Sequence, residues 1–142
     1  MKKTIIAVMI LLLQFPVIAQ KKAGPVPGRF EVGVYFGSVC CGPASDSFLR
    51  PFVNSFNKKN KVSIRGYRLS GCGREGEFKL LFRLRAIAAS KRQRFISTLD
   101  ELIIRQNEKN KAAANSKGNI ELLKEIDKEQ NSNCRAGLDL WL

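Results

Sequence analysis

The chain has 142 residues, 25 Lys and Arg against 12 Asp and Glu, four cysteines and no histidine, and a formal net charge of +13. A chain without histidine excludes every mechanism built on imidazole, from Ser–His triads and Cys–His dyads to His-ligated metals. The length suits one modest domain with a single core, and the charge favours anionic partners.

The N-terminal segment reads as a targeting sequence. Lys2 and Lys3 precede the apolar run Thr4–Leu13, and Val17–Ala19 supplies a cleavage motif, so residues 1–19 are expected to be a bacterial-type signal peptide cut after Ala19. The run is short for a membrane span and is broken by Gln14 and Pro16, so no transmembrane helix is expected after cleavage. The expected location is therefore periplasmic or secreted. Loss of Lys2 and Lys3 lowers the formal charge from +13 to +11. The excess is concentrated: residues 20–105 carry 17 basic and 6 acidic side chains, whereas residues 106–142 carry 6 of each.

Residues 20–28, rich in Pro and Gly, read as a flexible lead-in, and residues 29–142 as a single α+β domain. Arg29–Gly37 alternates, with Phe30, Val32, Val34 and Phe36 on one face of a half-buried strand. From Ser45 to Lys59 the period lengthens. Phe48, Phe52 and Phe56 recur every four residues beside Leu49 and Val53, as in an amphipathic helix. Ser45, Asp46 or Ser47 is expected to cap it, and Pro51 either sits in its first turn or kinks it.

Lys61–Leu69 predicts a second strand, with a bulge at Gly66 that puts Val62, Ile64, Tyr67 and Leu69 on one face. After the Gly-rich loop Ser70–Glu77, the segment Phe78–Ala86 is the clearest strand, pointing Phe78, Leu80, Phe82 and Leu84 inward. Ser90–Gln106 predicts a second helix. Ser90 and Gln93 form its capping box, and Phe95, Ile96, Leu99, Leu102 and Ile103 its buried stripe. Ile120–Gln130 predicts a third helix, with Ile120, Leu123 and Ile126 at helical spacing and Glu121–Lys124 and Glu125–Lys128 as exposed pairs. Gly137–Leu142 alternates like a closing edge strand. The order β-α-β-β-α-α-β suggests an α+β, ferredoxin-like split βαβ plait with one extra C-terminal helix.

Such a plait gathers Cys40 and Cys41, Cys72 and Cys134 at one end of its sheet. In an exported chain four cysteines read as two disulfides, with three pairings open. Adjacent cysteines seldom bond each other, so one of the pair is expected to join Cys72 and the other Cys134.

"VYFGSVCCGPA" followed by "RPF" supplies an apolar strand, Cys-Gly-Pro and then a helix containing a proline. Over residues 32–53 it resembles the active-site stretch of the thioredoxin family. The resemblance implies thiol redox chemistry with Cys41 as nucleophile at a helix N-terminus. The sequence departs from that family at Ala44, which stands where the resolving cysteine belongs, and in having no proline after Pro51. The cysteines after the first strand also make the plait similar to the heavy-metal-associated domains, which implies a metal-thiolate alternative. The adjacent pair lacks that family's Cys-x-x-Cys spacing, which leaves a site of all four cysteines as the zinc arrangement to weigh.

The opposite end of the plait is expected to collect Arg29, Lys58, Lys59, Lys61, Lys91, Arg92 and Arg94 as an anion-binding site. The last three fall in the first turn of a helix, where cations oppose the helix dipole. The uncovered sheet face is a second candidate, presenting Tyr35, Arg65, Arg68, Lys79, Arg83 and Arg85 with Trp141 at its edge. Basic residues with aromatics on an open plait resemble single-stranded RNA readers. Export argues against nucleic acid and for an anionic envelope component or another protein. No catalytic residue is expected. "GCGREGE" lacks the Gly-Lys-Ser/Thr ending of a phosphate loop, and Asp100 and Glu101 lie on a helix surface. The expectation is an exported, disulfide-stabilised, non-enzymatic binding protein without cofactor or metal. The alternative is a thiol-redox or metal-thiolate protein centred on Cys41.

Overall fold

Two strands with alternating apolar residues form the centre of one sheet, and two helices lay apolar stripes across it. The computed structural model describes residues 30–113, 118–126, 134–135 and 137–142. The expected signal peptide, the lead-in and Arg29 lie outside these residues. In chain order the elements are β1 (Phe30–Phe36), α1 (Leu49–Asn60), β2 (Arg65–Leu69), β3 (Phe78–Arg83), α2 (Ala89–Ala112), β4 (Ile120–Ile126) and β5 (Leu138–Leu140). The strands form one sheet in the order β4-β1-β3-β2-β5, and all neighbours are antiparallel. Helix α1 links β1 to β2 and α2 links β3 to β4, so each crossover passes over one intervening strand. Among the described residues no helix is long and apolar enough to cross a membrane.

This is a mixed α+β fold of five antiparallel strands and two helices among the described residues, and it corrects the expected plait with an extra helix. The segment read as a third helix is strand β4, paired with β1 from Phe36↔Ile120 to Phe30↔Ile126. Its apolar residues fit both periods, Ile120, Leu123 and Ile126 in threes and Ile120 with Leu122 in twos, so periodicity cannot decide between them. Pairing with the edge of β1 decides it. Glu125, at φ 52°, lets the strand shift its facing near its end, where Ile126 joins the side of the sheet away from the helices. The expected continuation over residues 127–130 lies outside the described residues. The closing strand also changes place: β5 pairs with β2 through Tyr67↔Leu140 and Leu69↔Leu138, at the edge remote from β1.

The main core lies between the sheet and the helices. Val32, Val34, Phe36, Phe78, Leu80 and Phe82 face Leu49, Val53 and Phe56 of α1 and Phe95, Leu99 and Ile103 of α2. Phe95 is its hub, with ring centroids 5.3 Å from Phe52, 5.1 Å from Phe56 and 5.6 Å from Phe82. Burying each large apolar side chain contributes about 1.5–3 kcal/mol. Phe30, expected on this face, instead joins Leu69, Leu81 and Ile126 in a second apolar cluster on the other face, against which Cys72, Cys134 and Leu138 pack.

The helix starts differ from expectation as well. Residue Phe48 is the N-cap of α1 and Ala88 that of α2, and neither helix start has a side-chain cap. Ser45, Asp46 and Ser47 precede α1 in a turn closed by the Leu49 N–H donating to the Asp46 carbonyl. Pro51 falls in the first turn of α1, where its missing N–H costs no intrahelical bond. Strand β2 pairs without interruption from Arg65↔Arg83 to Leu69↔Lys79, so Gly66 is not a bulge. Ile64 therefore faces the helices while Tyr67 and Leu69 face away.

Candidate functional site

The sheet has two chemically distinct ends, and the start of β1 marks the basic one. Helix α1 finishes there with Lys58 and Lys59 in its last turn and Lys61 as a left-handed C-cap. Helix α2 starts there with Lys91, Arg92 and Arg94 and no acidic residue in its first turn. One hydrogen bond joins the two helix ends: the Lys91 ammonium donates to the Asn60 carbonyl at 2.8 Å. That carbonyl belongs to the negative end of α1, so the contact offsets part of the unfavourable placement of a cation at the start of α2. A groove of about 290 Å³ between the helices is lined by Phe52, Ser55, Phe56, Lys59, Asn60, Arg94 and Thr98. A second, of about 400 Å³, brings Arg92 together with Arg85, Lys124 and the acidic Glu31 and Glu125. Arg85 contacts Glu31 at 4.0 Å, so it is partly neutralised.

Six of the seven residues expected in an anion site thus share one end of the molecule, and Arg29 lies outside the described residues. The strand assignment of residues 120–126 adds Lys124, which the helix reading only pairs with Glu121. Asn60 carries no sequence signal for its role, since its contribution is a backbone carbonyl.

The expected basic sheet face is not a uniform surface. Tyr35, Lys79, Arg65 and Arg83 lie on the face away from the helices, but its middle is the apolar cluster of Phe30, Leu69, Leu81 and Ile126. The Arg83 guanidinium stacks 5.2 Å from the Phe30 ring centroid and 5.3 Å from that of Tyr67. Burial pushes the Lys79 ammonium below the usual lysine range. Burial, then the charges of Glu77 and Glu121, push the Tyr35 hydroxyl up. Arg68 leaves this face: register puts it on the helix side, where it covers the Phe78 ring at 3.6 Å and pairs with Asp46 at 3.3 Å. Trp141 also lies on the helix side, against Phe82 and under the Arg50 guanidinium.

The other end of the sheet holds the cysteines. Cys72 and Cys134 are joined in a disulfide, which corrects the expected cross-pairing with Cys40 and Cys41. The Arg135 N–H donates to the Gly71 carbonyl at 3.1 Å, so the two chains already run side by side at the bond. A four-thiolate zinc site is ruled out because two of its sulfurs are consumed. Cys40 and Cys41 are free and exposed, with sulfurs 2.7 Å apart. Nor does Cys41 sit at a helix start, as the thioredoxin resemblance implies, because α1 begins only at Leu49. The Cys40 thiol is pushed up by its hydrogen bond with Cys41, by the Cys41 charge, by desolvation and by Glu75.

No family model, no curated protein and no solved structure matches the chain.

Proposed function

We propose that the chain is an exported, disulfide-stabilised, non-enzymatic binding protein that takes an anionic partner at its basic end, such as an acidic envelope component or an acidic face of another protein. The observation that carries this reading is the meeting of two helix ends through Lys91 and Asn60, which clusters Lys58, Lys59, Lys61, Arg92 and Arg94 at one place. Cations held together by a fixed scaffold create a local field that raises the concentration of anions and speeds their association. The Cys72–Cys134 disulfide supports the stabilised-domain part of the reading, since such bonds persist in oxidising compartments.

Retention on a heparin column tests it. The triple variant Lys91→Glu, Arg92→Glu, Arg94→Glu is expected to elute at much lower salt than the parent. The control Lys109→Glu, Lys111→Glu, at the far end of α2, is expected to change elution little. Losses that simply follow net charge in both variants would remove the basic end as the binding site. Export is tested separately, by sequencing the N-terminus of the protein recovered outside the cytoplasm, which is expected to begin at Gln20.

A further inference from the structure

Cys40 and Cys41 occupy the end of the sheet opposite the basic residues, and anion binding makes no use of them. Their loop is built rather than loose. Ser38 and Pro43 form an antiparallel bridge across its base, and the Ser38 hydroxyl donates to the Glu75 carboxylate of the β2–β3 connection. Within that arch Cys41 takes a left-handed backbone, φ 67°, followed by Gly42 at φ 102°. Such a conformation is uncommon for a residue with a side chain. Here it accompanies a Cys40–Cys41 sulfur separation of 2.7 Å. A covalent disulfide needs about 2.05 Å. Both thiols are exposed, and the other two cysteines are already bonded to each other.

We propose that Cys40 and Cys41 form a thiol–disulfide exchange site that closes reversibly as a vicinal disulfide, using an external disulfide as its oxidant. In the first step the Cys41 thiolate attacks one sulfur of the incoming disulfide. A Cys41–sulfur bond forms, the external sulfur–sulfur bond breaks, and one thiolate leaves and takes up a proton. In the second step Cys40 loses its proton to solvent and attacks the Cys41 sulfur. The Cys40–Cys41 bond forms, the mixed disulfide breaks, and the second thiol leaves. The pair has given up two electrons and two protons, and the external disulfide has become two thiols.

Either sulfur can donate across the 2.7 Å contact, so the same two steps run equally with Cys40 as the attacking sulfur and Cys41 as the closing one. The closed pair forms a small ring containing the intervening peptide bond. Strained and exposed disulfides are the readily reduced ones, so the closed pair reopens easily when an external dithiol reduces it. The Cys72–Cys134 bond, half-buried against the second apolar cluster, serves structure instead.

The experiment equilibrates the purified full chain in glutathione buffers from reducing to oxidising, then counts free thiols by maleimide labelling and intact mass. Two thiols are expected to disappear together, with a mass loss of two hydrogens, no glutathione adduct, and the link mapped between Cys40 and Cys41. Cys40→Ser is expected to stop at a glutathione adduct on Cys41, with Cys72–Cys134 intact. Stable glutathione adducts on the parent would overturn the proposal. So would links from Cys40 or Cys41 to Cys72 or Cys134, or thiols that persist in oxidised glutathione.

Discussion

Trp141 lies on the α-carbon of Gly66: a methyl group there would come within 2.7 Å of the indole Cε3 and 3.0 Å of the Phe82 Cε1. The contact is tied down by backbone. The Trp141 N–H donates to the Gly66 carbonyl at 2.9 Å, and the Gly66 N–H donates to the Leu142 carbonyl at 3.3 Å. Arg50 completes the seat, donating to the Trp141 carbonyl at 2.8 Å and covering the ring at 4.8 Å. Gly66→Ala is therefore expected to cost about 1–3 kcal/mol, the usual range for overpacking a filled site. The chain has one tryptophan, so its fluorescence reports this docking directly. The variant should show a red-shifted native emission and a lower denaturant midpoint; unchanged emission would mean that the ring does not rest on Gly66.

The two crossovers end in the same device. In α1, Asn57 donates its amide to the Ile64 carbonyl and accepts the Ile64 N–H, at 3.2 and 2.9 Å. In α2, Asn107 does the same to Ile120, at 2.7 and 3.1 Å. Each carboxamide satisfies both polar groups of a buried isoleucine backbone as the chain turns toward the next strand. Alanine at either position leaves those groups unpaired, and each substitution is expected to destabilise by about 1–3 kcal/mol. The sites share no partners, so chemical denaturation of the double variant should show near-additive losses. A combined loss well below the sum would show that the two crossovers do not fold as independent supports.

The Cys72–Cys134 bond spans 62 residues. Cross-linking a loop of that length removes enough unfolded-chain entropy to contribute about 4 kcal/mol. Replacing both cysteines by alanine should therefore lower the unfolding free energy by several kcal/mol. Exposed Cys40 and Cys41 should give no comparable loss when replaced by serine. Equal losses from the two double variants would contradict the division between a structural bond and a reactive pair.

Legibility in the sequence followed from how many independent signals agreed at each segment. Strand β3 and the stripe of α2 were readable because alternation and four-residue recurrence each had one interpretation, and Phe82 and Phe95 meet as those patterns imply. Residues 120–126 were not readable, because their spacing fits helix and strand alike and only the free edge of β1 selects the strand. Convergence of the cysteines at one end of the sheet could be argued from topology, but their pairing could not. The Arg135–Gly71 backbone contact that aligns Cys134 with Cys72 has no sequence signature. For the basic end, charge in α1 and α2 was visible, whereas the Lys91–Asn60 contact that fixes it depends on where a carbonyl points. Arg68 falls on the open face only if Gly66 bulges, and the unbroken register sends it to the helix side.

Cys40 offers a test of the reactive pair that does not depend on closing a disulfide. Its thiol is held above the usual cysteine range by the hydrogen bond with Cys41 first, then by the Cys41 charge, desolvation and the Glu75 carboxylate. Thiolate is the form that alkylates, so a raised pKa slows labelling at any pH below the midpoint. Cys41→Ala removes the two largest causes. It should move the pH midpoint of Cys40 alkylation down, toward the ordinary cysteine range. Glu75→Gln removes the smallest cause and should move it less. Iodoacetamide labelling of the Cys40 peptide, followed by mass spectrometry across neutral to alkaline pH, gives both midpoints. If Cys41→Ala leaves the Cys40 midpoint where it was, the two sulfurs are not in contact in solution. The contact on which closure of the pair depends would then lose its basis.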